Sequence, residues 1–237
     1  MFAWAVAHKH TPRNPFKTVH VTVPRKTLSR AGKSFHADEV KTILSAALAI
    51  KDTGRPSAAT RRWAPWLCAY TGARVGEITQ LRGVDVIEQE GVNVIRITPD
   101  AGTVKTGMGR TVPLHEHLIA QGFLTFAASR GAGPLFYNVA KGPLRVRAAT
   151  KPGKAQYVRT REHVAKWVRG LGVNDPEVRP NHAWRHTFKQ VAAHNGIPDG
   201  MSDYITGHAP ATVARGYGAP TIGHMAEALK KFPRYAV

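Results

Sequence analysis

Apolar residues recur at helical spacing at Val40, Ile43, Leu44, Ala47 and Leu48, with Asp38 and Glu39 just before them, where the positive end of a helix favours acids. A loop, DTGRPS at 52–57, separates this helix from a second over about 58–70, whose apolar stripe is Trp63, Trp66, Leu67 and Tyr70. Gly72 ends that helix, and a third short one carries Val75, Ile78 and Leu81. The period then changes. Residues 84–87, 92–98 and 111–114 read as strands, and AGTVKTGMGR lies between the second and third, with Gly102, Gly107 and Gly109 marking turns. Helical spacing returns at 115–129. Residues 130–159, rich in glycine, proline and basic residues, show no clear period.

From Thr160, a candidate cap, a helix runs through Val164, Trp167 and Val168. The next follows Pro180 and Asn181, buries Trp184, Phe188, Val191 and Ala192, and stops at Asn195–Gly196. A short helix at 199–206 leads to Gly207 and His208. Another starts near Pro210 and delivers Tyr217. A last amphipathic helix, 221–232, places Ile222, Met225, Leu229 and Phe232 on one side, to pack on its own body or on a neighbouring subunit. The pattern predicts a mainly α chain with a small antiparallel β-sheet or hairpin, an α+β fold.

Charge narrows the function. The 237 residues are 43% hydrophobic, enough for one sizeable core, yet 34 Lys and Arg face 15 Asp and Glu, a net charge of +19. So large an excess opposes compaction, and nucleic acid is the partner that best accounts for it, with an anionic membrane surface or a ribosomal-type setting as the alternatives. Two segments are strongly basic: 1–36 holds seven Lys or Arg and no acid, and 141–169 holds nine with Glu162 the one acid. Segments 17–33 and 141–169 are expected to contact phosphates on opposite sides of double-stranded DNA, which position a protein without selecting sequence. No apolar run is long enough to span a bilayer, and MFAWAVAHKH does not read as a signal peptide, so a cytoplasmic, nucleoid-associated location without membrane contact is expected. Cys68, the single cysteine, sits in an apolar helix pattern and reads as a buried structural thiol.

The candidate chemistry gathers in 182–217, where HAWRH, ITGH and VARGY supply His182, Arg185, His208 and Tyr217. Two imidazoles, a guanidinium and a phenol suit phosphodiester cleavage. The transition state spreads negative charge over non-bridging oxygens, which Arg185 and Arg74 can clamp with paired hydrogen bonds. A phenol, with an ordinary pKa near 10, attacks only if its proton is accepted or its anion stabilised. His182 or His208 can do this, or can bond the phosphate instead. Lys105, on or beside the hairpin, is the candidate acid for the leaving 5′ oxygen. No metal or other cofactor is expected, since His182 and His186 are four apart with no acid between them. His186 reads as structural, and Tyr204 and Tyr235 lack the spacing of Tyr217.

Four segments, in order, resemble the catalytic domain of the tyrosine recombinases, or phage-type integrases. TGARVGEITQLRGVDV at 71–86 is similar to the family's first arginine box, which makes Arg74 the first catalytic arginine and Glu77 its supporting acid. KTGMGRTVPL resembles the hairpin with the catalytic lysine, Lys105. HAWRHTF resembles the H-x-x-R box, giving His182 and Arg185. GHAPATVARGY resembles the final box, with His208 as second histidine and Tyr217 as nucleophile nine positions on. The family's usual Leu-Gly before that histidine is Thr206-Gly207 here, a change expected to bear on packing more than on chemistry.

The resemblance implies the tyrosine recombinase catalytic-domain fold over 37–220. The helix and tail at 221–237 form a possible protomer-docking element, and 1–36 combine the end of a core-binding-domain helix with a basic interdomain strap. The rest of that domain lies outside this chain, whether removed or encoded elsewhere. It implies a site-specific recombinase or integrase that breaks and rejoins DNA through a 3′-phosphotyrosyl link without metal. Such enzymes act as tetramers on two duplexes, with accessory DNA-bending proteins as possible partners. A topoisomerase-like relaxing enzyme and an inactive DNA-binding architectural or regulatory protein are the alternatives.

Overall fold

The computed structural model describes residues 2–19, 32–102, 104, 107–138, 155–208 and 219–237. Contacts divide the chain into two units, 1–31 and 32–237. In the first, helix α1 (Phe2–Ala7) is followed by a turn in which Lys9 has φ +59°, and rings pair locally: Phe2 with Phe16 at 5.1 Å and Trp4 with His8 at 4.3 Å.

The larger unit includes the end of the basic strap. Phe35 is buried edge-on against Trp184 at 4.8 Å, and its amide donates to Thr187 Oγ1 at 2.9 Å. Helix α2 (Ala37–Leu48) buries Val40, Ile43, Leu44 and Ala47, but Leu48 is exposed, because the helix ends there and its last turn leaves the core stripe. Helix α3 (Pro56–Thr71) is the centre of the body, packed on α2 and on three helices further along. It starts two residues earlier than the apolar stripe indicates, since Pro56 takes a first-turn position where no N–H is needed. Trp63, Trp66, Leu67, Cys68 and Tyr70 are all in the core.

Gly72 closes α3 with φ +58°. A Cβ there would stand 2.5 Å from Thr206 Cγ2 and 2.9 Å from Phe188 Cδ1, so both conformation and close approach require glycine. Helix α4 (Val75–Thr79) follows directly.

Strands β1 (Val86–Gln89), β2 (Val92–Ile97) and β3 (Arg110–Pro113) form an antiparallel sheet in that order, with Val86 opposite Ile95 and Ile97 opposite Arg110. The first strand begins later than expected. Buried Asp85 accepts from the Arg82 amide and guanidinium at 2.8–2.9 Å, which bends 83–85 into a 3-10 turn.

The helical spacing over 115–129 forms two helices, α5 (Glu116–Ala120) and α6 (Phe123–Ser129), with Gly122 at φ +86° between them. Helix α7 (Gln156–Gly170) begins at Gln156, so Thr160 is not its cap: it lies one turn inside and donates to the Gln156 carbonyl at 3.0 Å. Helices α8 (Pro180–His194), α9 (Asp199–Thr206) and α10 (Ile222–Lys230) complete the described elements.

The fold is mainly helical with a small antiparallel sheet, as the pattern predicts. The apolar side of α10 packs on its own body, against β2, β3 and α9. Phe232, just beyond it, stacks on Phe188 at 5.0 Å and accepts a hydrogen bond at its carbonyl from buried His115 Nε2 at 2.9 Å. Among the described residues no helix is long and apolar enough to cross a membrane.

Candidate active site

Three chain reversals bring the boxed side chains together. Arg74 sits at the start of α4, directly after the Gly72 turn. His182 and Arg185 are three apart on the first turns of α8 and so share a face. His208 follows the end of α9, where Gly207 adopts φ +71°.

Arg185 is 6% exposed and donates in two directions, from Nε to His208 Nε2 at 3.0 Å and from Nη1 to the Gly72 carbonyl at 3.2 Å. Its Nη2 is buried and has no acceptor among the described residues. Burial, then the nearby positive charge of Arg74, push this guanidinium down to about 10, so it remains charged at neutral pH under electrostatic load.

Glu77 organises the other arginines. Its carboxylate accepts from Arg74 Nη1 at 2.9 Å, from the Arg74 amide at 3.1 Å, and from Arg110 Nη2 at 2.7 Å. Burial pushes the Glu77 carboxyl up, but Arg110 and then Arg74 outweigh it and hold the group below the usual carboxylate range. Arg110 also donates from Nε to the Ile205 carbonyl at 3.3 Å, tying β3 to the end of α9. The approach is close: a Cβ on Gly207 would stand 2.6 Å from the Arg110 guanidinium.

Arg74, Glu77 and His182 line one cavity of about 370 Å³, together with Tyr157, Arg161 and Asn181. Burial first, then the charge of Arg74, lower the His182 imidazole, which is therefore neutral at pH 7. His208 is pushed further, to about 4, by burial, Arg185 and Lys189. Neutral imidazoles beside charged guanidiniums can accept protons while the arginines hold an anion. Among the described residues no cluster of three or more His, Cys, Asp or Glu is arranged to hold a metal ion.

Of the seven residues singled out in the sequence, Arg74, Glu77, His182, Arg185 and His208 converge here. Lys105 and Tyr217 lie outside the described residues. His186 is exposed, on a different side of α8 from buried Arg185.

Two contributors went unmarked in the sequence. Arg110 shares the Glu77 carboxylate from 33 positions away, and only its place in the basic hairpin hinted at it. Thr206 is expected to bear on packing more than on chemistry. Its methyl does pack against Gly72, but its hydroxyl stands 3.0 Å from His208 Nδ1, so it also touches the chemistry.

Glu77 is 2% exposed, and without it two half-buried guanidiniums lose their counter-charge. Glu77→Ala should therefore cost about 2–4 kcal/mol, since one partner of a buried pair is removed. Because the folded carboxyl is depressed, its contribution is present above the unfolded value near 4.5 and is lost as pH falls through the folded one. Urea denaturation from pH 7 to 3 should show the two proteins converging in acid.

The chain is similar to known proteins in sequence and in fold. Residues 33–222 match the model of the phage integrase family. No curated protein sequence matches the chain. Among solved structures, the integrase from mycobacterium phage Brujita superposes with a TM-score of 0.57 at 20% identity, covering 100% of this chain and 70% of that one. The XerH site-specific recombinase bound to difH substrate, in its pre-cleavage complex, superposes at 0.51 with 19% identity over 76% of this chain and 48% of that one. Its post-cleavage complex with palindromic difH substrate gives 0.50 at 18% identity. At such identities these likenesses speak for the fold, and the chain spans about half of the XerH recombinase. The family match takes in most of the sequence, from just before α2 to the first residue of α10, and by it this chain belongs to the phage integrase family.

Proposed function

We propose that this protein is a site-specific DNA recombinase that cuts and rejoins strands through a covalent 3′-phosphotyrosyl intermediate, without metal. The observation that carries the reading is the Arg185 guanidinium. It is buried among other cations, braced by the Gly72 carbonyl and His208, and its terminal nitrogen Nη2 has no acceptor among the described residues. A cation held at such electrostatic cost is suited to an anion that arrives from outside.

A scissile phosphate between Arg185 and Arg74 would have its developing charge clamped from two sides. The Tyr217 hydroxyl attacks phosphorus, and its proton passes to a neutral imidazole. The P–O5′ bond breaks as the Tyr Oη–P bond forms, and Lys105 protonates the departing O5′. The phosphotyrosyl link keeps the bond energy, so a 5′ hydroxyl from another strand can reverse the step and complete an exchange. The phenol, the lysine and the metal independence rest on the sequence boxes.

Duplex DNA is the partner, held along the basic stretches 17–33 and 141–169, with self-association on two duplexes and accessory DNA-bending proteins as further partners. The similar XerH structures, of a recombinase with its substrate before and after cleavage, support a substrate of the same class. The test is incubation with nicked suicide duplexes in EDTA. A protein–DNA adduct stable to SDS is expected, and strand transfer between two marked duplexes separates recombination from simple relaxation. Binding with no adduct on any duplex carrying the element's own junction sequences would favour an inactive DNA-binding protein.

A further inference from the structure

The hydroxyl of Thr206 has one proton and three neighbours. It lies 2.8 Å from the Ser202 carbonyl, 3.3 Å from the Asp203 carbonyl and 3.0 Å from His208 Nδ1. The two carbonyls can only accept, so the hydroxyl proton points back along α9, and the oxygen's lone pair faces the imidazole. His208 Nδ1 must then be the donor. The other side of the ring agrees independently. Arg185 Nε always carries its hydrogen and stands 3.0 Å from His208 Nε2, so Nε2 must offer a lone pair.

The rival acceptor for Nδ1 is Asp203. Its Oδ1 is 3.6 Å away, beyond hydrogen-bond reach, and is engaged by Lys189 Nζ at 2.6 Å. Burial and the flanking cations keep the ring neutral, so one tautomer has to be chosen.

We infer that Thr206 is a positioning residue that fixes His208 as the Nδ1–H tautomer, so that its Nε2 lone pair faces Arg185 as a hydrogen-bond acceptor. The structure assigns this task to a hydroxyl where the family usually has an aliphatic side chain. In the opposite tautomer, two N–H groups would oppose each other across 3.0 Å, and Arg185 would lose one of the two bonds that aim it. The catalytic consequence rests on the reading of His208 and Arg185 as active-site groups. The tautomer itself does not.

Thr206→Val is the informative variant, because it keeps the methyl that packs on Gly72 and removes only the oxygen. Thr206→Ser keeps the oxygen. Long-range ¹H–¹⁵N spectra of the full chain at pH 7, with His208 assigned by its loss in His208→Asn, read the tautomer directly. The wild type and Thr206→Ser should show a protonated Nδ1 and a bare Nε2, and Thr206→Val a shift toward Nε2–H. The rate of adduct formation on suicide duplexes at saturating protein should fall roughly tenfold or more in Thr206→Val and be restored in Thr206→Ser, with duplex affinity unchanged in both.

A wild-type His208 found as Nε2–H overturns the assignment whether or not any variant folds. So does a Thr206→Val spectrum identical to wild type. A tautomer shift in a protein that forms no adduct leaves the assignment standing and removes only the catalytic reading.

Discussion

Tyr217→Phe should form no covalent adduct with DNA, while its affinity for duplex stays within about twofold of wild type. The substitution removes one oxygen. If that oxygen is the nucleophile, no other group can carry the strand, and the loss is complete rather than graded. The contrast between lost chemistry and kept binding excludes a general folding defect, because phosphate contacts in the basic segments depend on the folded body and on charge the variant does not alter. Gel analysis of SDS-treated suicide-substrate reactions, beside filter binding at the same salt, checks both halves. An adduct of normal yield would move the nucleophile elsewhere, and Tyr204 and Tyr235 would be the first to examine. Tyr235 is poorly placed for it: its hydroxyl is buried, and burial, then the neighbouring Tyr70, raise it well above the usual phenol value.

Arg185→Ala should lower the rate of strand cleavage by about 10²–10³-fold, equivalent to roughly 3–4 kcal/mol of transition-state stabilisation from a preorganised donor. Its stability should move little. Removing the side chain orphans the Gly72 carbonyl, a loss of about 1–3 kcal/mol. It also relieves burial of a cation beside Arg74 and Arg110, the same load that pushes Arg185 down to about 10. These effects oppose, and a net change within about 1 kcal/mol is expected by urea denaturation. Arg185→Lys should not restore cleavage, since a single ammonium cannot reach His208, the Gly72 carbonyl and a phosphate together. A variant that cleaves normally would remove Arg185 from the chemistry, and one that unfolds would contradict the expected balance of stability effects.

Much of this site was legible because its parts are local. Arg74 and Glu77 are three apart, as are His182 and Arg185, and short-range spacing on a helix start is what a motif records. Gly72 and Gly207 advertised the reversals that aim those boxes. The apolar periods located the core, down to Trp66 and Trp184. What stayed hidden is long-range or polar in a way spacing cannot carry. Arg110 reaches Glu77 only because β3 lies beside the start of α4, a relation set by sheet pairing. Thr206 looks like an aliphatic substitute until its hydroxyl is seen against His208. The delayed first strand depends on an Asp85–Arg82 pair that outcompetes strand propensity, and the early start of α7 depends on chain that has no apolar stripe.

The most direct test of the central claim is to digest the wild-type adduct formed in EDTA and sequence the DNA-bearing peptide by mass spectrometry. The account predicts a 3′-phosphoryl end on Tyr217, with a yield that EDTA does not change. A strand attached to any other residue, or an adduct that forms only when divalent metal is restored, would contradict it.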